Sequence, residues 1–261
     1  MEWNKVKSML IALLLVVNAL LGLNIQSQIA AQQSAEADSL KNALELLQDA
    51  GVAFDEQAFF DMPRAPSVLS GTRSTERETQ LADALLGQAS LNEAGGGISI
   101  YTSSAGTVTF RNGGLFEAEL TDGTTPSDLL ERIVQAAEVK GMGYTVSESD
   151  DGVSAQLLFG QWTVAGSVLT CQATASGAVA AGRWYFGSEP TAEGSGVSRA
   201  EMVVALLRLG QERLQTITGL HLVYSQEQLR SGVRLSPVWC VQLPNGEIFL
   251  SVSTMQEISV E

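Results

Sequence analysis

His221 is the only histidine of the chain, and it lies in Gly-Leu-His-Leu-Val-Tyr with apolar neighbours on both sides. That context reads as a strand position. A metal centre needs several clustered donors, and a serine-type triad needs this same imidazole as its base together with a G-x-S-x-G turn, which the sequence lacks. Cys171 and Cys240 are the only thiols, and each falls in an apolar run of strand character. They form either a disulfide or two unlinked core thiols, and the residues alone leave both open. The 29 Asp+Glu supply carboxylates in excess, so no pair of them stands out as an acid and base. Asp150-Asp151-Gly152 lacks the remaining oxygen ligands of a calcium loop and reads as a turn. No glycine-rich phosphate cradle occurs. The sequence therefore assigns no catalytic, cofactor-binding or metal-ligating residue.

The 15 Lys+Arg leave a formal net charge of -14 over 261 residues, which gives no basic footprint for nucleic acid. With 45% hydrophobic residues the chain is long and apolar enough to bury a core. Residues 8–25 (SMLIALLLVVNALLGLNI) are uncharged, and 18 helical residues rise about 27 Å. This predicts a single transmembrane helix, with Lys5 and Lys7 on the cytoplasmic side, residues 1–7 as a short stub and the remainder extracytoplasmic. The rival is a signal peptide cut near Ala35-Glu36-Ala37. At 100° per residue Ser8, Ala12, Leu15, Ala19 and Gly22 share one face with Asn18 at its edge, a small-residue stripe suited to docking on a second membrane helix.

Behind that segment, Leu40, Ala43, Leu44 and Leu47 recur at helical spacing up to Gly51, and residues 26–94 read as this helix plus irregular connections. Short strand-like runs follow at 98–102, 107–111 and 115–120, then a helix from Thr125-Pro126 to Gly141, then strands near 144–148, 153–159, 162–172 and 179–186. After a linker at 187–197, Ser198 opens a second helix, and strands follow at 221–225, 235–243 and 247–252, the last two joined through Asn245-Gly246. The predicted fold class is α+β, with two helix-plus-antiparallel-sheet units at 95–186 and 198–261, each helix layered on its own sheet.

The opening Met1-Glu2-Trp3-Asn4-Lys5-Val6-Lys7-Ser8, running into one apolar segment that contains Asn18, resembles the start of YycI-type regulatory proteins. The closing Pro237-Val238-Trp239-Cys240-Val241, followed after a turn by Ile248-Phe249-Leu250-Ser251-Val252, resembles that family's terminal hairpin, which PepSY-like modules share. The resemblance implies a non-catalytic, membrane-anchored regulator that restrains a sensor histidine kinase, together with a YycH-type companion, and that binds no cofactor. The alternative is an anchored PepSY-like module that inhibits or chaperones a secreted hydrolase. An anchored hydrolase that uses its carboxylates is a third reading.

Overall fold

The computed structural model describes residues 3–63, 65–193, 199–210, 214–229 and 232–259. Five helices are present among them: α1 (Trp3–Asp49), α2 (Glu56–Asp61), α3 (Thr75–Leu86), α4 (Pro126–Ala137) and α5 (Arg199–Leu209). The strands are β1 (Val68–Thr72), β2 (Ser90–Gly95), β3 (Ile98–Ser103), β4 (Gly106–Phe110), β5 (Leu115–Leu120), β6 (Met142–Ser149) and β7 (Gly152–Phe159). They continue as β8 (Trp162–Ala173), β9 (Ala178–Arg183), β10 (Thr191–Glu193), β11 (Gly219–Leu229), β12 (Gly232–Leu243), β13 (Gly246–Ser251) and β14 (Glu257–Ile258). Two compact units result, one from Met1–Asp61 with Ser198–Thr216 and one from Met62–Val197 with Ile217–Glu261.

The first unit is helical. Leu40, Ala43, Leu44 and Leu47 are buried as their spacing predicts, and the α1 helix that carries them packs against α5. Gly51, at φ 81°, ends α1: its N–H reaches Gln48 O and the Val52 N–H reaches Leu47 O, the paired bonds of a glycine C-cap. The structure does not form the separate anchor expected over 8–25. Those residues belong to one continuous helix of 47 residues that runs on through Gln26, Ser27 and Gln28. Among the described residues, no helix is long and apolar enough to cross a membrane. The single-pass assignment, with its cytoplasmic stub and extracytoplasmic remainder, falls with it.

The second unit overturns the predicted fold class. Instead of two separate antiparallel units, fourteen strands join in one mixed sheet, in the order β10-β1-β12-β11-β8-β9-β5-β4-β3-β2, with β13-β14 branching from β12 and β7-β6 branching from β8. Two long strands that change neighbours make this possible. β8 pairs with β9 over Leu169–Ala173 but with β11, in parallel, at Val164 and Ala165. Between these stretches Gly166 takes φ 73°, and the β7–β8 register shifts between Gln156 and Leu158. A bulge with a left-handed glycine bends one strand out of its partner's plane. The carbonyls freed there are taken up by Gln156, whose Nε2 donates to Val164 O at 2.7 Å and Ser167 O at 3.1 Å. Likewise β12 pairs with β1 over Gly232–Leu235 and with β13 over Val238–Leu243. Pro237, which has no N–H to donate, stands in the gap.

α4 behaves as its sequence indicates. Thr125 caps it by accepting from the Asp128 N–H at 3.2 Å while its hydroxyl donates to the Asp128 carboxylate at 2.7 Å, and Pro126 is its first residue. Its face of Leu129, Leu130, Ile133, Val134 and Ala137 is buried on β7, β8 and β9. α3 packs beside it, and Arg132 of α4 donates to the terminal carbonyls Ala84 O and Leu85 O at 2.8 and 2.7 Å. The second predicted repeat fails at its helix. α5 belongs to the first unit with α1, not to the sheet that follows it in sequence. Ser198, expected to cap it, lies outside the described residues.

A buried ion pair fixes α3 to the sheet. Glu78 has a side chain only 3% exposed and accepts Arg73 Nε at 2.5 Å and Nη2 at 2.9 Å. The same guanidinium donates to Ser99 Oγ and Asn112 Oδ1, both at 3.0 Å, and to Gly97 O. Five bonds from one side chain thus tie β1, α3, β3 and the Asn112–Gly114 turn.

Arg73→Ala leaves the Glu78 carboxylate buried without its cation and is expected to cost about 3 kcal/mol, read as a lowered urea midpoint, whereas Arg73→Met with Glu78→Leu recovers most of the loss. Gly166→Ala is expected to cost about 1–2 kcal/mol in the same assay, because a Cβ disfavours the left-handed conformation.

Candidate functional site

β6 is one of the strands at which the sheet ends, as are β2, β10 and β14. It pairs with β7 alone, and every residue from Tyr144 to Ser149 is exposed. Register explains why this matters. Met142, Tyr144, Val146 and Glu148 lie opposite Phe159, Leu157, Ala155 and Val153, which are the buried row of β7. Residues opposite one another share a face, so Tyr144 and Val146 extend the apolar face that α4 covers on β7, β8 and β9. The helix cover stops one strand short. Tyr144 is 44% and Val146 49% exposed, and beyond them the hairpin end carries Glu148, Asp150 and Asp151, all exposed. No Pro or Lys blunts this edge within β6.

The histidine and one cysteine meet elsewhere on the same sheet. In the β11–β12 ladder His221 stands directly opposite Cys240, and in the β12–β13 ladder Cys240 faces Phe249 while Gln242 faces Glu247. His221, Cys240 and Glu247 thus share a face, with their ligand atoms all within 4.8 Å of one another. His221 and Glu247 are exposed, while Cys240 is buried beside Val223, Val238 and Phe249. Burial pushes the Cys240 thiol up to about 12, and Glu247 adds to this by charge repulsion and by accepting the thiol's hydrogen bond. Gln242 Nε2 donates to Glu247 Oε1 at 3.3 Å. A thiol held protonated in this way is not a poised nucleophile.

Cys171 and Cys240 are both free. They belong to separate apolar clusters: Cys171 lies in the main core under α3 and α4, and Cys240 on the β11–β13 face. Burial raises the Cys171 thiol to about 12 as well. Of the residues expected to form a docking stripe, Asn18 and Gly22 are exposed on α1, while the side chains of Ser8, Ala12, Leu15 and Ala19 lie outside the described residues.

Sequence reading missed Tyr144 and Val146 because an apolar strand position is the same letter whether it faces a core or a partner. It missed the donor cluster for a different reason. Asn245-Gly246 closes the turn that pairs Leu243 with Gly246, so counting in twos already places Glu247 on the face of Cys240. The predicted strand at His221, however, ended at Ser225, and the structure carries it on to Leu229, where it pairs with Gly232. Only that continuation sets His221 opposite Cys240.

No protein-family model matches the chain, and no curated protein matches it. The resemblance to YycI-type proteins therefore rests on the end motifs alone.

Thiol titration without reductant is expected to find two reactive thiols per chain in denaturant and strongly retarded reaction in native buffer. A count of zero in denaturant would mean a Cys171–Cys240 bridge.

Proposed function

We propose that this chain is a non-catalytic binding module that regulates a partner protein by taking an extended segment of it onto β6. The observation that supports this reading is the uncovered continuation of the core face at Tyr144 and Val146 on a strand with one unpaired edge. An added strand gains main-chain hydrogen bonds along the edge, and its side chains gain apolar contact with Tyr144 and Val146. The acidic end at Glu148, Asp150 and Asp151, within a chain of net charge -14, favours a segment that carries Lys or Arg. Regulation then follows if the segment is free in one state of the partner and engaged in another, since a binder shifts only an equilibrium whose states it distinguishes. A sensor histidine kinase is the partner that the end motifs suggest.

The test is affinity capture from source cells with the full-length chain, followed by affinity measurement and hydrogen exchange on the purified complex. Val146→Lys, an exposed change that sets a cation at the edge, is expected to weaken the complex at least about tenfold. The β6 amides of the wild type are expected to slow in exchange on binding. A partner held equally by the variant, with protection elsewhere, would overturn the reading, and recovery of a hydrolase rather than a kinase would identify the second class of partner.

A further inference from the structure

Three adjacent strands supply three different ligand types to one point: an imidazole from β11, a thiol from β12 and a carboxylate from β13. We propose that His221, Cys240 and Glu247 bind a single zinc ion. Zinc takes nitrogen, sulfur and oxygen donors at about 2.0–2.3 Å in tetrahedral array, which sets neighbouring donor atoms about 3.5 Å apart. Ligand atoms that already lie within 4.8 Å of one another need to close by about 1 Å. The two that must move, His221 and Glu247, are the exposed ones, so rotation of their side chains suffices, while the buried Cys240 forms a fixed floor.

The donor set selects the metal. A thiolate with an imidazole and one carboxylate suits zinc, whereas calcium and magnesium require oxygen ligands throughout. The supports around the ligands fit the same purpose. Gln242, opposite Glu247 in the ladder, donates to its carboxylate and so orients it, the role that outer groups play around bound metals. Val223, Val238 and Phe249 flank the sulfur and keep it dry. A charge of -14 on the chain favours cation capture generally, and the geometry localises it. With three protein ligands, the fourth tetrahedral position faces solvent, open to water or to a donor from another molecule. Binding replaces the thiol proton, which leaves to solvent as the sulfur takes the metal. The site draws on strands other than β6, and its presence does not depend on the binding mode proposed there.

Cobalt and zinc titrations of the full-length protein, reduced and freed of metal by chelator, test this. Cobalt is expected to bind at one per chain with the intense thiolate-to-metal charge-transfer absorption and tetrahedral visible bands, and one equivalent of zinc is expected to bleach both. His221→Gln and Glu247→Gln, both at exposed positions, are expected to weaken zinc binding at least about tenfold, and Cys240→Ser to abolish the charge-transfer band. Gln242→Ala is expected to weaken zinc about tenfold, as loss of an orienting group does. Cys171→Ser serves as the control and is expected to keep the band and the affinity. Absence of stoichiometric binding, cobalt bound without thiolate absorption, or wild-type zinc affinity in His221→Gln and Glu247→Gln would each overturn the proposal.

Discussion

The sheet depends on a single backbone irregularity in β8. Gly166 is held at positive φ, and the bulge around it lets one strand leave β9 and touch β11 in parallel at two residues. Without that bend β10, β1, β12, β11, β13 and β14 would form one sheet and the remaining strands another. The junction is narrow in backbone terms, so side-chain amides reinforce it. Gln156 satisfies the carbonyls that the bulge frees, and Gln226 accepts Ser167 Oγ at 2.5 Å while donating to Gly113 O at 2.8 Å. Gln156, Ser167 and Gln226 are each hydrogen-bonded there, and this lets an irregular strand persist inside a core.

Around this junction the apolar layer is uneven, and the unevenness separates structure from function. α3 and α4 cover the sheet from β3 to β9, pinned by the Arg73–Glu78 pair and by Arg132 at the end of α3. Phe110, Phe116 and Phe186 close the layer with ring centroids 5.0–5.3 Å apart. At β6 the cover ends while the apolar row continues. Tyr144 and Val146 stay about half exposed, so apolar contact is left to gain there, and this accords with binding. The β11–β13 face differs: Val223, Val238 and Cys240 are buried on it and the exposed His221 and Glu247 stand beside them, so it suits an ion better than a polypeptide.

Two expectations failed for related reasons. The apolar run at 8–25 satisfied a length and charge rule, but the structure makes it part of a helix of 47 residues that continues through amide and hydroxyl side chains. The predicted repeat satisfied an order rule, helix then strands, yet α5 packs on α1. Local pattern identifies which residues want burial. It does not say against what. α4 and α5 both bury apolar residues, and only α4 packs on the strands that follow it in sequence.

The sequence by itself determined most elements and their ends: Thr125-Pro126 at the start of α4, Gly51 after α1, the runs of β3, β4, β5 and β7, and the Asn245-Gly246 hairpin. These are set by capping, turn chemistry and periodicity, which act within a few residues. Of the candidate sites, it placed Glu247 on the face of Cys240, because a tight turn fixes register locally. Tertiary structure alone decided that fourteen strands share one sheet, that Tyr144 and Val146 remain uncovered, and that His221 meets Cys240. The first depends on pairing between segments distant in sequence, the second on where the helix cover stops, and the third on how far the β11–β12 hairpin extends, and all three are selected by the packing of the whole core.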